Sequence, residues 1–152
     1  MAYSAVSVAN SIIKLAKEKG INDLTPMKIQ KLMYFAQFFY LKNFEDGILI
    51  DDNFVRWRFG PVIPSLYYQL RSYGSKPVHD YIRQLSPDYE AIVYMMSKKD
   101  STSWDFLDQV FDKFGHLDVI SLSALTHRKN SSWSAGAIDT VINIDDMKKS
   151  SL

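Results

Sequence analysis

The sequence predicts a mainly α-helical protein: a single compact domain of about six helices around a central apolar helix, with one short β-hairpin. Three observations carry this expectation. The stretch from Thr25 to Leu41 is apolar almost all round its helical circumference, as in a helix with neighbours on several sides. Capping residues followed by proline or an apolar run recur along the chain. Between Gly47 and Phe59 the pattern changes to strand-like alternation.

Each element follows from local signals. From Ser4 to Lys19, Ala5, Val8, Ala9, Ile12, Ile13 and Ala16 recur at helical spacing, and Gly20 supplies a stop. The second helix starts at Thr25, a natural N-cap; Pro26 suits its first turn, and Leu24 can pack on Ile29 as a hydrophobic staple. Its core stripe is Ile29, Leu32, Met33, Ala36, Phe39 and Tyr40, with Gln30, Tyr34 and Gln37 as a polar-aromatic stripe beside it. Phe35 and Phe38 fall on the far side with Lys31 and Lys42.

Ile48-Leu49-Ile50, a turn at Asp51-Asp52-Asn53 and the run Phe54 to Arg58 are expected to form the hairpin, which Gly60-Pro61 ends. Pro64 opens a helix through Arg71, and Tyr73 to Pro77 reads as a loop. Ser86-Pro87-Asp88 reads as a further helix start, carrying Tyr89, Ile92, Val93 and Met96. Ser103 is expected to cap the next helix, with Trp104, Leu107, Val110, Phe111 and Phe114 before Gly115. Asp118 starts a shorter one with Ile120, Leu122, Ala124 and Leu125. Val141 to Ile144 is strand-like, and Asp145 to Lys149 forms a last helical turn. No repeat, low-complexity segment or boundary divides the chain, so one domain is expected over 1–152.

Composition narrows the function. A hydrophobic fraction of 47% and a charged fraction of 23% are those of an ordinary globular protein. Eighteen basic against seventeen acidic residues leave +1, which argues against a broad basic face for nucleic acid. The absence of cysteine excludes disulfides and thiolate chemistry. Met1 to Asn10 has no basic region followed by an apolar one, and no apolar run reaches the ~20 residues of a membrane helix, so a cytoplasmic protein without membrane contact is expected. There is no Gly-rich phosphate loop or nucleophile elbow. His79 and His116 have no carboxylate at ligand spacing, and Asp51-Asp52 and Asp145-Asp146 read as turn and cap residues. Catalytic, metal and cofactor residues are therefore not expected.

Three motifs stand out: Leu24-Thr25-Pro26-x-Lys28-Ile29-Gln30-Lys31-Leu32-x-Tyr34; Trp57-x-x-Gly60-Pro61-Val62-x-Pro64, with Tyr67 just after; and Leu122-Ser123-x-Leu125-Thr126-His127, with Trp133 following. In this order and spacing, over roughly Val6 to Trp133, the chain resembles the SocA-like antitoxin family, also called the Panacea domain and often labelled phage-associated. It departs from the family pattern in carrying Asn130-Ser131-Ser132 where a proline beside the tryptophan would be expected, and a separate helix-turn-helix appendage is not expected. The resemblance implies a bacterial or prophage antitoxin that neutralises a protein toxin encoded by an adjacent gene through direct contact. It also implies an adaptor role in which a ClpXP-type protease receives the toxin.

The residues expected to meet a partner are Gln30, Lys31, Tyr34, Gln37, Arg56, Trp57, Arg58, Thr126, His127 and Trp133. Each has a plainer reading. Gln30, Tyr34 and Gln37 can instead satisfy buried backbone groups, which is the favoured reading. Lys28 and Lys31, three apart, read as a solvated edge. Trp57 is expected in the core, while Arg56 and Arg58 share one face of the strand, suited to acidic partner surfaces. His127 reads first as a helix-end hydrogen-bonding group and Trp133 as a ring packed in the interior. Thr25, Pro26, Gly60, Pro61 and Pro64 are expected to shape the backbone. The alternative function is a nucleic-acid-binding regulator of its own operon, using Phe35, Phe38, Lys31 and Lys42, and a homodimer is one assembly the sequence accommodates.

Overall fold

The computed structural model describes residues 2–45 and 47–151, so the first and last positions of the expected 1–152 span lie outside them. The order is α1 (Ala5–Glu18), α2 (Pro26–Asn43), β1 (Phe54–Trp57), β2 (Gly60–Val62), α3 (Pro64–Leu70), β3 (Gln84–Leu85), β4 (Ala91–Ile92), α4 (Ser101–Phe114), α5 (Val119–Thr126), β5 (Val141–Ile142) and α6 (Ile144–Lys149). The mainly helical class with six helices around α2 is what the sequence predicts.

Capping explains most helix starts. Ser4, Thr25, Asp100, Asp118 and Asn143 each accept a hydrogen bond from the backbone N–H three residues on, satisfying a donor the helix leaves free. Among the α-helices of the described residues only α3 lacks a side-chain cap, and it opens on Pro64. The cap of α4 is Asp100 rather than Ser103, because Tyr3 Oη also donates to Asp100 Oδ2 at 2.6 Å and fixes the carboxylate there. That hydrogen bond holds the Asp100 carboxyl below the usual carboxylate range.

Helix α2 is the axis. α1, α3, α4, α5, α6 and β2 all pack on it, so no face is left to solvent along most of its length. Phe35 stacks on Phe114 at 4.7 Å between centroids, and Tyr34 meets Phe54 edge-on at 5.3 Å. Phe35 and Phe38, expected on an outer side, are therefore buried. Lys28 and Lys31, expected on a solvated edge, are only 1% exposed.

Two expectations about β-structure are corrected. The hairpin joins Phe54–Trp57 to Gly60–Val62, with Trp57 opposite Gly60 and a two-residue turn at Arg58-Phe59. The apolar run Ile48 to Ile50 is not its partner strand. Leu49 and Ile50 are buried core residues, and Tyr3 holds this segment through its N–H to the Leu49 carbonyl (2.8 Å) and its carbonyl to the Asp51 N–H (2.7 Å). β5 adds to the other edge of β1, giving an antiparallel order β2-β1-β5. The helix expected from Ser86 is also absent: β3 and β4 pair as a second hairpin there. Ser86 caps a turn instead, accepting from the Glu90 N–H at 3.1 Å while its carbonyl accepts from the Tyr89 N–H at 2.9 Å. Ser-Pro starts turns as readily as helices, and β-branched Ile92 and Val93 favour the extended side of that choice.

The irregular chain around these short strands is held from inside. Asn10, fully buried on α1, donates to the Ile82 and Tyr94 carbonyls at 3.0 and 2.9 Å and accepts from the Ile82 N–H at 2.7 Å. Ser11 Oγ accepts from the Met96 N–H at 3.0 Å. Two buried polar residues of α1 thus replace a missing sheet partner.

Candidate functional site: a braced hairpin beside an aromatic cleft

The polar stripe of α2 faces inward. Gln30 brackets Ile63, donating to its carbonyl (3.0 Å) and accepting from its N–H (2.9 Å). Seven residues on, Gln37 does the same for the loop before β1, accepting from Leu49 N and Ile50 N and donating to Ile50 O at 3.0–3.2 Å. Between them Tyr34 Oη hydrogen-bonds Ser132 Oγ. Burial pushes the Tyr34 phenol up, opposed by that hydrogen bond and by nearby Arg56. The amide stripe therefore acts as a substitute strand along a helix, satisfying backbone that has no sheet.

Arg56, expected at the surface, is buried because it alternates inward with Phe54 along β1, whereas Arg58 lies beyond the strand in the turn. Its guanidinium reads the returning chain: Nε and Nη2 donate to the Ser132 carbonyl at 3.1 and 2.9 Å, Nε also to Trp133 O at 3.1 Å, and Nη1 to Thr140 Oγ1 and Val141 O at 3.0 and 2.9 Å. Asp146 on the first turn of α6 supplies the counter-charge at 3.3 Å. A Cβ at Gly136 would sit 2.5 Å from the Arg56 guanidinium carbon, so only glycine lets the chain pass there.

Lys31 reaches across to the Phe59 carbonyl of the hairpin turn. No carboxylate lies within ion-pair distance among the described residues, and burial lowers its ammonium from 10.5 to about 8. Gly60 makes this possible: its φ is +122°, and an added Cβ would collide with the Lys31 ammonium and lie 3.1 Å from Thr126 Oγ1.

The third motif closes the arrangement. Thr126 is buried, its hydroxyl donating to Ser123 O at 2.8 Å. His127 caps α5, its Nδ1 2.6 Å from the Ser123 carbonyl and its Nε2 3.4 Å from Arg58 O, with its ring 4.0 Å from that of Trp133. Trp133 donates its indole N–H to Trp57 O at 2.8 Å. Its ring is half-buried rather than enclosed, since it packs on the edge of the core. The three sequence motifs, about a hundred residues apart at their extremes, thus meet behind one two-residue turn.

Of the ten expected partner residues, Gln30, Lys31, Tyr34, Gln37, Arg56 and Thr126 are inside and bonded to the protein itself. Trp57, His127 and Trp133 are half-buried, and of the ten only Arg58 is exposed. What the bracing presents is a cleft of about 170 Å³ lined by Met27, Lys31, Trp57, Phe59, Tyr67 and Leu70 among others, with no carboxylate in its wall. Trp57 and Tyr67 pack edge-on at 5.0 Å, and Tyr67 on Tyr68 at 5.5 Å. Phe59 and Tyr68 are 65% and 60% exposed, so the cleft opens on an uncovered aromatic rim. Met27, Phe59 and Tyr68 are not among the residues expected from the sequence to meet a partner. A signal existed: Leu66 and Leu70, four apart, define the inner face of α3, which leaves Tyr67 and Tyr68 off it.

Among the described residues no cluster of three or more His, Asp or Glu is placed to hold a metal ion, and no helix is long and apolar enough to cross a membrane. The arrangement is a helical scaffold displaying an exposed aromatic rim. The chain belongs to the SocA-like antitoxin family, the Panacea domain, whose family model matches residues 29–134. One curated relative is Antitoxin SocA of Caulobacter vibrioides (strain NA1000 / CB15N), 25% identical over 131 residues, which cover 85% of this chain and 68% of the relative. No solved structure gives a significant match.

Proposed function

We propose that this protein is the antitoxin of a toxin–antitoxin pair and neutralises a cognate protein toxin, encoded by an adjacent gene, by direct binding. Family membership supports the antitoxin role. The observation that carries direct binding is the exposed aromatic rim held on a frame whose polar side chains are committed internally. A binding module needs a rigid support and a few Trp, Tyr or Arg anchors at the centre of its contact. An interface of ordinary size would bury on the order of 1,600 Å² in total. A ClpXP-type protease receiving the bound toxin is the further step of this proposal.

The test is co-expression with the product of the adjacent gene. That product alone should arrest growth, this protein should restore it, and the two should copurify. A neighbour that is harmless alone, or still toxic beside this protein, refutes the reading. Toxin half-life in cells with and without ClpXP separates masking from delivery. The nucleic-acid alternative loses its proposed stacking residues, since Phe35 and Phe38 are buried.

A further inference from the structure

We propose that the cleft between Trp57, Phe59 and Tyr67 seats a toxin segment presenting one bulky apolar side chain flanked by carboxylates; this assignment rests on the antitoxin reading above. The first ground is size and lining. A cavity of about 170 Å³ walled by Met27, Trp57, Val62, Tyr67 and Leu70 takes one large apolar side chain and little else. The second is exposure without cover. Met27, Phe59, Tyr67 and Tyr68 are all more than 40% exposed, so the described residues leave them open to solvent.

The third ground is charge. The Arg58 guanidinium lies over the Phe59 ring at 5.8 Å and that of Arg71 over Tyr68 at 5.6 Å, so two of the exposed rings each carry an arginine. Among the described residues neither has a carboxylate within 4.0 Å, and the cleft itself contributes the buried Lys31 cation but no acid. The rim is a positive frame round an apolar hole, and a guanidinium stacked on an aromatic keeps its donor edge free for a carboxylate. The fourth ground is preorganisation. Lys31 fixes the turn through Phe59 O, Trp133 fixes Trp57 O and Gln30 fixes Ile63, so little ordering entropy is lost when the cleft fills. A nucleic-acid strand fits these features less well: it would need a row of phosphate contacts, whereas two arginines on a chain of net charge +1 frame the cleft.

The experiment uses the full chain and the adjacent gene product. Two double variants at exposed positions, Phe59→Ser with Tyr67→Ser and Arg58→Glu with Arg71→Glu, are compared with wild type for rescue of colony formation and for affinity to an inactivated toxin. Thermal melts confirm folding, and the single variants Phe59→Ser and Arg71→Glu carry the test if a double variant fails to melt cooperatively. Wild type should rescue. Each double variant should lose rescue and bind roughly tenfold or more weakly, while Arg58→Lys with Arg71→Lys keeps most of it. Affinity should fall as salt rises. Full rescue by both double variants beside a protective wild type overturns the cleft assignment alone. Full rescue by the Arg→Glu pair overturns the carboxylate partner. A wild type that fails to protect overturns the antitoxin reading and this seat with it. Binding of a single-stranded RNA of about 20 nucleotides that both double variants abolish, with rescue unchanged, overturns it in favour of a nucleic acid.

Discussion

Replacing Lys31 by methionine should change how stability depends on pH. The wild-type ammonium is buried with no carboxylate in ion-pair distance among the described residues, and its pKa in the fold is about 8 against the ordinary 10.5. A tenfold change in proton affinity is about 1.4 kcal/mol, so holding the charge inside costs roughly 3 kcal/mol at neutral pH. Because the folded pKa is the lower one, the unfolded chain binds more protons between about pH 8 and 10.5, and stability rises with pH through that window. The cost is complete below pH 8 and gone above 10.5. Integrating the two titrations, wild type should gain about 1.3 kcal/mol on the Lys31→Met variant between pH 7 and pH 9. Tyr3 and Tyr34, whose phenols are also shifted, titrate in both proteins and cancel in the difference. Urea unfolding at pH 7, 8 and 9 measures it, with stabilities extrapolated to water. A difference that stays constant across the range would mean that Lys31 keeps an ordinary proton affinity, and the buried-cation description would be wrong.

Other substitutions test the bracing. Gly60→Val forces a β-branched residue to φ +122° and drives its side chain into the Lys31 ammonium; a loss of roughly 2–4 kcal/mol is expected in chemical denaturation, and an unchanged midpoint would refute the tight corner. Gln37→Leu leaves two N–H groups and a carbonyl of the Leu49-Ile50 loop without partners, and should cost about 2–4 kcal/mol with local loss of amide-exchange protection there. Trp133→Ala removes a half-buried ring and the hydrogen bond to Trp57 O, so a cost of about 2–3 kcal/mol is expected, less than for an enclosed tryptophan; a larger loss would mean that the ring is a core residue after all. Asn10→Ala should loosen the 78–96 segment, read as faster proteolysis between Val78 and Met96.

The helices were legible because their signals are local. Thr25-Pro26, Asp118 and the apolar spacing of α1 act within one or two turns, and each produced the element it announces. Ser86-Pro87 failed because the same local chemistry serves a turn, and what decided was pairing of Gln84 with Ile92. Ile48 to Ile50 misled for a related reason: a short apolar run fits a strand and a buried loop alike, and only Gln37 and Tyr3, distant in sequence, supply its partners. Arg56 and Lys31 were misplaced because charge argues for solvent until the acceptors are known. Most of those acceptors are backbone carbonyls, of Ser132, Trp133, Val141 and Phe59, which carry no signature in side-chain identity, and the two side-chain acceptors, Thr140 and Asp146, lie more than eighty residues away from Arg56. The three motifs were visible, yet their meeting behind one turn belongs to the packing of β2 against α2 and α5.

The division between a committed interior and an open rim has a consequence for how such a protein diversifies. Met27, Arg58, Phe59, Tyr67, Tyr68 and Arg71 supply none of the side-chain hydrogen bonds that hold the frame, whereas Gln30, Tyr34, Gln37 and Arg56 each do. If the proposed cleft is the recognition site, exchange at the first set would change what is recognised while the second keeps the chain folded, so specificity could drift with little loss of stability. A library randomised at those six positions alone should therefore remain largely soluble and cooperative, and would be a natural source of variants with altered targets.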